Sequence, residues 1–191
     1  MNYGMNNLWP TPVLLEKIQD KDTLDLTVQE ILATTDLSNP SSDFQGYDIL
    51  ADGGPVFEKF RKNIVEPVFD RYLTEVYGFS LHDTQYNLRS WITGTGYSYM
   101  IPVHNHSGAA LSAVFYLLCE EDSKGGELFL IDPRLNANRG YLDRMKEPFA
   151  SKTFLPTSGE VIVLPSYLYH QTLTFQGNLR LAMPVDLYVI E

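Results

Sequence analysis

Cysteine is almost missing from this chain. Cys119 is the only one in 191 residues, so an internal disulfide is excluded. It sits in the apolar run Ala113-Val114-Phe115-Tyr116-Leu117-Leu118-Cys119, where a buried, inert thiol is expected rather than a nucleophile. Basic side chains are also short, 14 against 24 acidic ones, and the net charge of −10 argues against phosphate-backbone binding as the main role. That charge reads first as solubility. No stretch approaches the roughly 20 apolar residues needed to span a bilayer. No N-terminal run joins basic residues to an apolar signal core. The expected location is therefore the cytoplasm, with neither nucleic acid nor membrane as partner. Histidine is scarce as well, with four in the whole chain.

What is present describes a folded protein. Apolar residues make up 44% and aromatics 13%, enough for one sizeable core, and the length does not call for a second domain. The opening Leu8-Trp9-Pro10-Thr11-Pro12-Val13-Leu14-Leu15 forbids a helix but permits an edge strand, which could mediate a homodimer. Leu24, Val28, Ile31 and Leu32 fall at helical spacing within Thr23–Thr35, with Asp22 as the expected cap. The strongest helical signal runs from Pro55 to Tyr77; Pro67 should kink or divide it and Gly78 end it. A loop is expected around 38–43.

After Gly78 the texture changes to short β-type runs: 87–95, 112–119, 127–131, 161–164, 167–175 and 179–190, with Gly125-Gly126 as a hairpin turn. Asn136 to Phe154 carries little periodicity and reads as a long loop beside a barrel mouth. The expected architecture is mainly β: a jelly-roll-like double-sheet barrel over 86–191, supported by an N-terminal strand and helices over 1–85.

Three of the four histidines form a pattern. His104 and His106, two apart on an extended segment, project from one face, and His170 follows far along the chain. Imidazole is a common ligand for Fe, Zn, Cu and Ni, so such a set can close a metal face. Arg180 lies ten positions after His170, a permanent cation able to anchor a carboxylate beside that metal. If Gln176-Gly177-Asn178 is a three-residue hairpin loop, Phe175 faces Leu179 and His170 lies opposite Pro184. His170, Thr172, Arg180 and Ala182 then share one surface. Arg180 would stand about 13 Å from the metal ligand along the strand, at roughly 3.3 Å per residue. His82 falls outside the pattern and is expected at the surface. Arg134, in Asp132-Pro133-Arg134, has two readings: it reaches the cavity mouth to bind an anion, or it pairs with Asp132 to fix a turn.

His-x-His, a distant His and an Arg ten residues on resemble the metal- and cosubstrate-binding set of the Fe(II)/2-oxoglutarate dioxygenases. More closely, the chain resembles a group of oxygenases of cyanobacterial viruses and marine bacteria. The likeness rests on Trp9-Pro10-Thr11-Pro12, His104-Asn105-His106-Ser107, Ser112-Ala113-Val114-Phe115-Tyr116-Leu117, Asp132-Pro133-Arg134 and Leu164-Pro165-Ser166-Tyr167-Leu168-Tyr169-His170. It is densest from Trp91 to Val185. The resemblance implies a double-stranded β-helix holding Fe(II) and 2-oxoglutarate, with O₂ as co-reactant. The 2-oxoglutarate leaves as succinate and CO₂ while a small-molecule or peptide substrate is hydroxylated, in a bacterial or phage-infected bacterial cytoplasm. It further implies His104, His106 and His170 as metal ligands, Arg180 as partner of the distal carboxylate of 2-oxoglutarate, and Tyr116 as a second donor to that carboxylate.

Two departures qualify that pattern. Most of the superfamily has Asp or Glu where His106 stands, so either His106 is a true third ligand or the metal preference has moved, to Zn or Ni for example. Many relatives have Ser two residues after the Arg, whereas this chain has Ala182; Tyr97, Tyr99, Thr172 or Arg134 are the residues able to replace that hydrogen bond. Two other function classes remain open on the sequence alone. One is a cupin-like three-histidine metal enzyme that uses no 2-oxoglutarate, the other a non-catalytic barrel that binds a ligand or partner.

Overall fold

Apolar faces and local end signals shape the N-terminal helices. Residues 10–35, 48–134 and 151–190 are described by the computed structural model. Strand β1 (Leu14–Lys17) precedes helix α1 (Lys21–Thr34). The cap of α1 is Asp20 rather than the expected Asp22: its carboxylate accepts from the Thr23 backbone at 3.0 Å and from the Thr23 hydroxyl at 2.6 Å. Asp22 sits already inside the first turn, where its charge complements the helix dipole instead. A short α2 (Ile49–Asp52) leads to α3 (Pro55–Phe60), a π-type turn at Arg61–Val65, and α4 (Glu66–Tyr77). Pro67 therefore does not break the helix. The wide turn ahead of it relieves the clash that its ring would make with the Asn63 carbonyl in a regular helix. Gly78 ends α4 at φ 77°, its N–H reaching Leu73 and Thr74 carbonyls at 3.0 and 3.2 Å.

The strands that follow are β2 (Gln85–Ser90), β3 (Thr93–Thr95), β4 (Leu111–Cys119), β5 (Lys124–Gly125), β6 (Leu128–Leu130), β7 (Lys152–Phe154), β8 (Glu160–Pro165), β9 (His170–Thr172), β10 (Phe175–Gln176) and β11 (Arg180–Ile190). A larger antiparallel sheet runs β1-β8-β4-β11-β2, with β3 also on β11; a smaller one runs β7-β6-β9, and β10 pairs β5. This is the expected mainly-β, double-stranded β-helix barrel with a small helical part. Alternation along β4 shows how it is layered. Leu111, Ala113, Phe115 and Leu117 pack with Phe60, Phe69 and Leu187 in a core between sheet and helices, where Phe60 meets Phe115 edge-on at 5.6 Å. Val114 and Tyr116 point the other way, joining Leu128, Leu130, Ile162 and Ala182 between the two sheets.

Three expectations need correction. β9 does not pair with β11, so His170 is not opposite Pro184; β9 pairs with β6, and β11 with β4, β2 and β3. The turn after Gln176 carries the chain from the smaller sheet to the larger, a crossover that local turn residues do not reveal. Gly125-Gly126 is likewise no hairpin turn joining adjacent strands, because β5 pairs with β10 while β6 pairs with β7 and β9. Lys152–Phe154 forms β7, so the loop expected over 136–154 ends earlier; its other residues up to 150, and the loop expected at 38–43, lie outside the described residues.

Candidate metal centre

Two extended segments bring the histidines together. The segment leading to His106 runs antiparallel to β9, and His104 and His170 exchange backbone hydrogen bonds at 2.9 Å in both directions. Antiparallel partners point to the same side, so both rings enter the space between the sheets, and His106, two residues on, joins them. The ring centroids lie 4.4 to 5.3 Å apart. One nitrogen from each ring falls within 4.8 Å of the others.

Two of the outer nitrogens are held by carbonyls, and the third lies beside a carboxylate. His104 Nδ1 is 2.8 Å from the Pro102 carbonyl and His170 Nδ1 is 2.9 Å from the Leu168 carbonyl. His106 Nδ1 lies 2.8 Å from Asp186 Oδ1. A carbonyl only accepts, so His104 and His170 carry their proton on Nδ1, which leaves Nε2 as the unprotonated ring atom. His106 Nε2 meets His170 Nε2 at 3.3 Å, a separation two facing lone pairs leave only to a proton or a metal ion. This is the donor set and outer support that metal-binding histidines show, and it fits a divalent cation. Burial pushes the His170 imidazole down to about 4, so it is neutral at pH 7.

The same cavity, of about 550 Å³, holds Arg180, Tyr116 and Thr172. Arg180 is 3% exposed. Its Nη1 donates to the Gly126 carbonyl and its Nε has no partner among the described residues. The rings of Phe175 and Tyr116 flank the guanidinium at 5.2 and 5.9 Å. An unpaired donor on a buried cation is costly unless an acceptor arrives. Burial holds the Tyr116 phenol protonated far above neutral pH, so it remains a donor. Thr172 accepts from the Ile101 backbone at 2.7 Å, leaving its hydroxyl hydrogen free. The expected common surface for His170, Thr172, Arg180 and Ala182 thus exists, but as a cavity between sheets, not as one face of a hairpin.

Other candidates fall elsewhere. Arg134 is outside the cavity lining and grips Asp132 through two contacts of 2.9 and 2.5 Å. His82 is exposed on a short 3₁₀ turn. Half-buried Cys119 has its thiol pushed up to about 11 by burial, in keeping with an inert role. Sequence reasoning missed Thr93, Thr95, Trp91 and Asp186, all of which line the cavity. Asp186 did leave a signal: it is the lone acid between Arg180 and Ile190 on an otherwise apolar strand. At Gly126, expected in a turn, a Cβ would collide with Arg180 Nη1.

Residues 89–186, just over half of the chain, match the family model described as "Putative 2OG-Fe(II) oxygenase". No curated protein matches the chain. Among solved structures, it is similar to a 2OG-Fe(II) oxygenase family oxidoreductase from Burkholderia pseudomallei, with TM-score 0.51 and 19% identity. That alignment covers 70% of this chain and only 58% of the other. It is also similar to a Trichoplax adhaerens prolyl hydroxylase in complex with a hypoxia inducible factor peptide fragment, with TM-score 0.62 and 12% identity over 92% of this chain and 83% of that one. HygX from Streptomyces hygroscopicus, with nickel and 2-oxoglutarate bound, gives TM-score 0.61 and 14% identity over 93% and 83%. At these identities the structural likenesses speak to the fold.

Proposed function

The chain belongs to the 2OG-Fe(II) oxygenase family, and on that footing we propose that His104, His106 and His170 hold its Fe(II) and that Arg180 anchors its 2-oxoglutarate. Family membership selects the 2-oxoglutarate-dependent dioxygenase over a metal enzyme without that cosubstrate and over a non-catalytic barrel. The observation that carries the site assignment is the pairing, in one cavity, of three inward imidazole nitrogens with a buried arginine whose Nε lacks a partner. Bound Fe(II) supplies O₂ activation coupled to oxidative decarboxylation of 2-oxoglutarate to succinate and CO₂.

The chain's own residues do the rest. Arg180 meets the distal carboxylate with a charge-assisted contact, and Tyr116 and Thr172 offer hydroxyl hydrogens beside it. Gly126, by lacking a side chain, lets the guanidinium sit where it does. Barrel walls of Val114, Leu128 and Ala182 keep water from the reacting centre. The substrate to be hydroxylated enters past Trp91, Tyr99 and Tyr188, whose faces suit an aromatic or apolar group on a small molecule or a peptide.

Finer assignments rest on narrower grounds. We place the chain nearest the oxygenases of cyanobacterial viruses and marine bacteria because it carries the ordered motifs quoted above. We place it in the cytoplasm, where 2-oxoglutarate and Fe(II) are supplied; among the described residues no helix is long and apolar enough to cross a membrane. A homodimer would form by addition at β1, which among the described residues pairs only with β8 and exposes Leu15, and sedimentation velocity checks it.

The proposal is tested by adding Fe(II) and 2-oxoglutarate anaerobically. A weak visible charge-transfer band, absent from a His170→Ala variant, is the expected result. No band in the parent protein under saturating conditions contradicts the site assignment.

A further inference from the structure

Where the wider superfamily has an acidic ligand, this chain has His106, and the negative charge has not left the site. We propose that Asp186 supplies it from one layer out, by accepting a hydrogen bond from Nδ1 of His106 while Nε2 of the same ring holds the metal. The inference rests on the metal reading above and extends it to a positioning residue.

Alternation on β11 sets the placement. Leu181, Met183, Val185 and Leu187 face the helical layer, so Asp186 faces the cavity with Ala182 and Pro184. Asp186 is 5% exposed. A carboxylate so buried is strongly disfavoured unless it is paired. Its Oδ1 lies 2.8 Å from His106 Nδ1, though the ring N–H is not aimed squarely at it, so Oδ1 is without an aligned hydrogen bond among the described residues. Arg89, its cross-strand neighbour on β2, lines the cavity but makes no ion pair with it. Ser112, its neighbour on β4, has a buried hydroxyl that likewise lacks a partner.

Three observations tie this carboxylate to the metal rather than to folding alone. The two imidazole nitrogens flank Cε1 and point away from one another, so a cation on Nε2 would be separated from Asp186 by the ring but feel its charge through it. The other two histidines lean on neutral carbonyls, of Pro102 and Leu168; His106 alone is backed by an anion. Finally, Trp91 stacks on His106 at 5.8 Å and 23°, fixing the ring plane between carboxylate and metal. A carboxylate behind a histidine ligand makes the imidazole a stronger donor and fixes its tautomer. The site thus regains, one residue further from the metal, the charge that a neutral third ligand gives up.

The probe is Co(II), titrated calorimetrically and by its visible spectrum into the parent, Asp186→Asn, His106→Asp and the double variant, with His170→Ala as control. Asp186→Asn is expected to weaken Co(II) by about 10- to 100-fold and to shift the Co(II) spectrum, while the metal-free melting temperature stays level or rises because a buried charge is gone. In the His106→Asp background the same Asp186→Asn change should have little effect, since the ring that relays it is absent. Parent-like Co(II) affinity and spectrum in Asp186→Asn, with His170→Ala unable to bind, overturns the Asp186 role and leaves the metal reading standing. An equal loss in both backgrounds overturns it too, because Asp186 would then act without His106. If the parent itself takes up no Co(II), the metal reading fails and this inference with it.

Discussion

The functional weight of this molecule falls on a few side chains whose polar atoms are buried with a partner still to come. Arg180 is the plainest case, with one donor on the Gly126 carbonyl and Nε unmatched. Truncating one side of a buried charge pair costs about 2–5 kcal/mol, which is roughly 30- to several-thousand-fold in affinity. Arg180→Ala should therefore lose 2-oxoglutarate binding by that factor while keeping its metal, and Arg180→Lys should recover only part, a point charge in place of a planar fork. Calorimetry with a redox-inert divalent metal present reads both quantities; unchanged 2-oxoglutarate affinity in Arg180→Ala would mean that the cosubstrate lies elsewhere. Gly126→Ala is the companion test. Its φ of 74° disfavours a side chain and the new Cβ would displace the Arg180 guanidinium, so it should weaken 2-oxoglutarate with the arginine still present in the sequence. At this scale the sequence was informative about residue type and spacing: three of the four histidines and the arginine ten places after the last of them fall in one cavity. It was silent on Thr93, Thr95 and Trp91, which matter only through a fold that brings β3 beside Arg180.

Among the elements, those set by local chemistry were legible and those set by distant pairing were not. Pro55, the apolar face behind it and Gly78 delimit a helical stretch from neighbouring residues alone. Gly78→Ala tests its end cleanly: the residue is left-handed at φ 77° and nothing lies within 4 Å of an added Cβ, so the cost is backbone strain. A melting curve should register a loss of about 1–2 kcal/mol, and no loss would show that the helix end relaxes instead. Strand partners behave differently. The loop at Gln176-Gly177-Asn178 looks like a hairpin locally, but β10 pairs with β5 and β11 with β4, partners far away in sequence that no local turn residue specifies. Likewise Pro184, inside β11, is tolerated where the neighbouring strand is interrupted between β2 and β3.

Seen whole, the barrel is a container whose stability is linked to the protonation of its lining. Metal-free protein must keep His170 neutral in the folded state, since burial lowers its imidazole from 6.5 to about 4. Between those values the unfolded chain binds the extra proton, so stability is complete above about pH 6.5 and falls as the pH drops through that window. The full shift corresponds to on the order of 3 kcal/mol. Asp70 and Asp132, whose carboxyls are held below the usual range by Ser80 and Arg134 respectively, add losses of the same sign at still lower pH. Melting temperatures measured in chelator from pH 8 to 4 should fall in that window for the parent and less for His170→Gln; parallel curves would show that His170 is not the group responsible. The proposed site is spatial: one cavity, three nitrogens on a metal, and a diacid reaching Arg180. Anaerobic crystals grown with Fe(II) and 2-oxoglutarate test it most directly. The predicted density is a metal bonded to Nε2 of His104, His106 and His170, chelated by a diacid whose far carboxylate lies on Arg180. A metal bound away from those three nitrogens, or a diacid lying away from Arg180, would contradict it.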